Sequence, residues 1–128
     1  MLAGIPIRAT VAASDLARAR DWYEAKLGVT PIAEDVDHLW YEFGGTWLLV
    51  YHTAVAGTAR NTQAGWTVDD IEAVMADLRS RGVVFEDYDF GNGIASVDGL
   101  LAVGPNRAAW FKDSEGNSFE ISQVDRDG

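Results

Sequence analysis

The chain is expected to be an α+β protein made of two tandem βαβββ modules, and three observations carry that expectation. A strand, a helix and then further strands are legible twice along the 128 residues. The helix starts Ser14-Asp15-Leu16 and Asp69-Asp70-Ile71, and the stops Leu27-Gly28-Val29 and Arg81-Gly82-Val83, recur at an offset of about 54–55 residues, a self-similarity that marks duplicated units. A small-residue polar stretch, 53–61, separates the copies, which gives modules over 5–52 and 62–123. Two such units are expected to form a curved, mostly antiparallel sheet, with helices on one face and a cleft on the other.

The elements follow in order. Residues 5–13 alternate, with Ile7, Ala9 and Val11 on one face and Arg8, Thr10 and Ala12 on the other, the period of a strand. Ser14 or Asp15 supplies an N-cap. Leu16, Ala19, Tyr23 and Leu27 then recur at helical spacing until Gly28 stops the run. A short strand around 29–33 precedes strands at 38–43 and 46–52, joined by Gly44-Gly45, a tight-hairpin signal.

The second copy opens with a strand over 63–68. Asp69 is expected to cap its helix, with Glu72 completing a capping box. Ile71, Val74, Met75 and Leu78 form the apolar stripe. Residues 83–88 read as a strand, and the glycine-rich segment 89–106 as an irregular arm with a short strand around 100–103. Strands at 108–112 and 118–123 close the module across Asp113-Ser114-Glu115-Gly116-Asn117, whose acidic residues are expected to serve turn geometry and solvation. Residues 124–128 read as a frayed tail.

Composition narrows the function. With 48% hydrophobic residues the chain has the apolar mass for one core, and without cysteine it has no disulfide, thiolate metal site or cysteine nucleophile. Twenty acidic residues against ten basic give a net charge of −10, a field that repels nucleic acid and attracts cations. The start carries no basic segment followed by a long apolar run, and no stretch has membrane-spanning length, so a cytoplasmic protein with no membrane partner is expected. His38 and His52 sit at strand ends, where a lone histidine is read as a surface residue rather than a base.

Three stretches resemble the vicinal oxygen chelate superfamily, which includes glyoxalase I, extradiol dioxygenases and bleomycin-resistance proteins. They are Ala13-Ser14-Asp15-Leu16 with Trp22-Tyr23 and Leu27-Gly28-Val29, then Trp66-Thr67-Val68-Asp69-Asp70-Ile71, then Trp110-Phe111-Lys112-Asp113-Ser114-Glu115-Gly116-Asn117-Ser118-Phe119-Glu120. The resemblance spans almost all of the chain. It implies a single domain of paired βαβββ modules over 1–128, a homodimer with clefts at or near its interface, and, in the enzymes, a divalent metal held by His, Gln or Glu on four strands. The matching positions here are Arg8, Leu49, Gln63 and Glu120. Arginine stays protonated and has no lone pair, leucine has no donor, and an amide alone ligates weakly. Glu120 is the one true ligand of the four, so neither a metal nor another cofactor is expected. An Arg8–Glu120 ion pair across the cleft floor, occupying the metal's space, is one reading. A partly solvated Arg8 that touches Glu120 only loosely is the other.

The aromatic residues complete the reading. Trp40, Trp47, Tyr51 and Trp110 lie on strands, and Tyr88 and Phe90 border the arm; Trp22 and Trp66 are assigned to core or interface. Two helices do not cover all these rings, so some are expected to wall the cleft. The expected function is metal-independent binding of an apolar, aromatic or cationic small molecule, with Arg8, Gln63 and Glu120 as polar anchors. The alternatives are an enzyme of the same superfamily, with Glu120 as catalytic base or a weak metal site, and a protein-interaction module.

Overall fold

The structure, a computed structural model, describes residues 1–124; the rest of the expected frayed tail lies outside the described residues. Alternation of apolar residues builds the first sheet from β1 (Ala9–Ala13), β2 (Ala33–Glu34), β3 (His38–Phe43) and β4 (Thr46–His52). Their spatial order is β1-β4-β3-β2, with β1 parallel to β4 and the other pairs antiparallel. The second sheet repeats that order. It contains β5 (Thr62–Thr67), β6 (Phe85–Glu86), β10 (Asn106–Lys112) and β11 (Ser118–Gln123), ordered β5-β11-β10-β6, with β5 parallel to β11. Between β6 and β10 run β7 (Asp89–Gly91), β8 (Ile94–Ala95) and β9 (Leu101–Val103), the last paired with β10. The two sheets approach each other along β1 and β5.

Helices α1 (Leu16–Trp22) and α2 (Ile71–Ser80) cover one face. Asp15 caps α1 by accepting from the Arg18 N–H, and the helix widens into a π-type turn over Tyr23–Leu27 before Gly28 ends it. The strand periods place Val11, Ala13, Leu39, Tyr41, Val50, Phe111, Phe119 and Ile121 beneath the helices, where they form one continuous core with Tyr23, Ile71 and Met75. Trp22 and Trp66 each stack on Phe111, so rings from both copies share that core. Among the described residues no helix is long and apolar enough to cross a membrane.

Four local expectations are corrected. The first strand begins at Ala9, because Pro6 lacks an N–H to donate and the segment before Ala9 stays exposed. The α2 cap is Asp70, which accepts from Ala73, so Glu72 stands one position too early for a capping box; the Ile71 N–H is taken by the Gln123 side chain instead. Residues 83–88 hold only the short β6. The arm is not irregular: β7 and β8 form a hairpin around Asn92-Gly93, both at positive φ, as a primed turn requires. Asp87 staples its base, accepting from the Ser96 hydroxyl and the Gly99 N–H, which together lower its carboxyl below the ordinary range.

The 113–117 turn departs most from expectation. Asp113, Glu115 and Asn117 are buried, not solvated. Glu115 accepts from the backbone N–H groups of Ser14 and Asp15 at 3.1 and 3.0 Å and from the Arg18 guanidinium at 2.8 and 2.9 Å, which ties the end of one copy to the helix start of the other. Burial pushes its carboxyl up, but Arg18, the Ser114 hydroxyl and the Asp15 N–H outweigh this and hold it at about 2. Asp113 accepts from the Tyr23 hydroxyl at 2.7 Å, and the Asn117 amide donates to the Ala12 carbonyl at 2.8 Å. The linker presses onto this turn: a Cβ at Gly57 would lie 2.8 Å from the Glu115 carbonyl oxygen, and at φ 80° glycine fits there.

Candidate functional site

The faces turned away from the helices carry most of the side chains singled out from the sequence. Cross-strand partners share a face, so Trp40 opposite Leu49, Glu42 opposite Trp47 and His38 opposite Tyr51 define the open side of the first sheet. Trp40 and Trp47 meet edge to face at 5.5 Å. The Arg8 guanidinium lies over the Trp40 ring, 5.3 Å from its centroid, a cation–π contact. These three side chains, with Pro6, Ile7 and the Gly45-Thr46 hairpin, line a recess of about 380 Å³. Tyr51 lies further along β4, outside this recess.

A second recess of about 310 Å³ opens on the other sheet. Register places Trp110 between Glu86 of β6 and Glu120 of β11. The β7–β8 hairpin brings Phe90 to this point, and Tyr88 precedes it. Tyr88, Phe90 and Trp110 form a ring triangle with centroids 5.6, 5.7 and 6.1 Å apart. The Tyr88 hydroxyl donates to Glu86, and that bond, followed by burial, pushes the hydroxyl up to about 12, so it stays protonated. Lys112 stands 3.7 Å from the other Glu86 oxygen. Glu120 lines the recess with no hydrogen-bond or ion-pair partner among the described residues, and Arg60, Asn61, Thr62 and Ser118 complete it.

The structure thus brings Arg8, Trp40 and Trp47 together, and separately Tyr88, Phe90, Trp110 and Glu120. It does not join Arg8 to Glu120. The ion-pair reading is corrected: Arg8 is held over Trp40 in a recess on the other sheet from Glu120. Gln63 is turned towards the 113–117 turn. Its Nε2 donates to Asn117 at 3.1 Å and its Oε1 accepts from the Ser118 N–H at 3.0 Å, where β5 slips register against β11. Arg60, also in this second recess, is a lone cation in a small-residue linker, and that is its signal in the sequence. His38 lies on the open face near the rim, with Nδ1 2.8 Å from Asp35.

The four positions that the family resemblance assigns to metal ligands do not form a donor set. Arg8 is cationic and stacked, Leu49 is buried and apolar, and the Gln63 amide is committed to the turn. Among the described residues no group of three or more His, Cys, Asp or Glu side chains is placed to hold a metal ion. These residues do not fit a divalent metal.

Both sheets are backed by helices and carry aromatic recesses on their open faces. Residues 6–121 match the Glyoxalase/Bleomycin resistance protein/Dioxygenase superfamily, and the chain belongs to that family. Among solved structures it is similar to a putative glyoxalase family protein from Bacillus anthracis, at 16% identity and TM-score 0.71, covering 94% of each chain. It is also similar to TnmS3, an antibiotic binding protein from Streptomyces sp. CB03234, at 24% identity and TM-score 0.66, over 95% of this chain and 98% of that one. A third is the fosfomycin resistance protein FosX from Listeria monocytogenes, complexed with Mn(II) and sulfate, at 13% identity and TM-score 0.69, over 98% and 94%. At these identities the likeness shows the shared fold. No curated protein sequence gives a significant match.

Proposed function

We propose that this chain binds or sequesters a small organic molecule without a metal, using the aromatic open faces of its two sheets, and that it does so as a homodimer. The observation that carries the reading is where the rings lie. Trp47 and Phe90 are about half exposed on faces that no helix covers, with Trp40 and Trp110 beside them. Indole and phenyl surface left open to water costs free energy that a planar ligand recovers. The donor set described above supports metal independence. The likeness to an antibiotic binding protein of the same fold accords with a binding role.

The dimer rests on family membership and on exposed Ile7, Trp47, Tyr51 and Phe90, which a second copy would cover while closing the recesses. Titration of intrinsic tryptophan emission against a panel of planar compounds tests the binding reading, run with and without EDTA. A saturable change insensitive to EDTA and reduced by Trp40→Ala or Trp110→Ala supports it. No response across the panel, or loss of binding on chelation, refutes it. Sedimentation at micromolar concentration tests the dimer.

A further inference from the structure

From the geometry of the second recess we infer that it selects an arylalkylamine: a planar ring system bearing one protonated aliphatic nitrogen, seated on Tyr88, Phe90 and Trp110 with the nitrogen at Glu120. This names the ligand class for the binding role above and rests on that reading.

Trp110 is flanked across the sheet by two carboxylates, Glu86 and Glu120. Glu86 is already occupied by the Tyr88 hydroxyl and Lys112. Glu120 has no partner among the described residues, so its charge is free for a ligand. A carboxylate that gains a cationic hydrogen-bond donor forms one of the stronger polar contacts available.

No pair in the triangle is stacked face to face: their planes stand 49°, 83° and 52° apart. The Tyr88–Trp110 contact is edge to face and takes up one ring face, whereas both contacts of Phe90 are tilted and Phe90 is about half exposed, so its quadrupole is available to a cation. Glu86 fixes Tyr88 from below and the stapled hairpin holds Phe90, so the site is preorganised rather than assembled by the ligand. Glu120 also borders an adjoining recess of about 230 Å³ near Leu101, Arg107 and Ser122, which gives a substituent beyond the nitrogen room to extend. Arg60 on the rim opposes a second cationic centre, and the −10 net charge speeds the arrival of a first.

Isothermal titration with 1-naphthylmethylamine, 1-naphthylmethanol and 1-naphthoic acid tests this, because the ring is constant and only the charge changes. At pH 7 the amine is expected to bind at least about tenfold tighter than the alcohol, in keeping with a partly desolvated cation–π and carboxylate contact. The acid is expected to bind weakest. Glu120→Gln should abolish the preference while retaining the alcohol's affinity, and Glu72→Gln, which removes the same negative charge from the exposed surface of α2, should leave it intact. A preference unchanged in Glu120→Gln, or lost equally in Glu72→Gln, overturns the inference. Equal binding of all three probes, abolished by Trp110→Ala, also overturns it but leaves the binding role standing. Binding of none of the three removes both.

Discussion

Glu115 joins the two copies of the fold, and its removal has a calculable cost. The side chain has no exposed surface and accepts six hydrogen bonds from Ser14, Asp15, Arg18 and Ser114, two of them from the backbone at the start of α1. A carboxyl held at about 2 rather than 4.5 corresponds to roughly 3 kcal/mol of folding free energy, at about 1.4 kcal/mol per unit. Arg18 stands half in water, and solvent screening brings this to about 2 kcal/mol. Glu115→Gln keeps the shape and loses the charge, so it should cost about 2 kcal/mol at pH 7, a large part of a typical domain's ~5–15 kcal/mol.

The pH dependence has a definite sign. The folded carboxyl titrates below the unfolded one, so its contribution is complete above about 4.5 and drains away as pH falls towards about 2. Urea unfolding of both proteins at pH 7, 4.5 and 3 reads this directly. The gap between wild type and Glu115→Gln should be widest at pH 7 and narrow on acidification. A gap below ~0.5 kcal/mol at pH 7, or one that stays constant to pH 3, refutes the assignment of Glu115 as a charged tie between the copies.

Three further outcomes are expected. Tyr41 buries a hydroxyl that finds no partner among the described residues, and burial pushes that hydroxyl up to about 12; Tyr41→Phe should therefore raise stability by about 1 kcal/mol in the same urea assay. A Cβ at Gly65 would lie 2.7 Å from the Glu120 carbonyl oxygen, so Gly65→Ala should separate β5 from β11, lowering the melting temperature and the amine affinity of the Glu120 recess together. Gln63→Ala removes two bonds that hold the 113–117 turn, and should cost about 1–2 kcal/mol in the same urea assay.

How much of this was legible beforehand differs by element, and the difference is physical. The helical spacing of Leu16, Ala19 and Tyr23 and the alternation through Val11, Leu39 and Tyr41 place each residue on its face from local geometry, so both helices and the long strands follow from the chain itself. The repeat extends that reading to two sheets of equal strand order. The Asn92-Gly93 hairpin carried a usable local signal that the surrounding glycines obscured.

Other features depend on which distant groups come together. Asp113-Ser114-Glu115-Gly116-Asn117 has the composition of a solvated turn, and is buried because Gly57, the start of α1 and Tyr23 converge on it from far away in the chain. Asp70 rather than Asp69 caps α2 because Gln123 already serves the Ile71 N–H. Arg8 and Glu120 carry complementary charges, yet an aromatic face holds Arg8 on one sheet while Glu120 opens onto the other. Periodicity and turn chemistry are properties of neighbouring residues and are written along the chain. The partner of a buried charge is set by the packing of distant segments, and tertiary structure alone decides it.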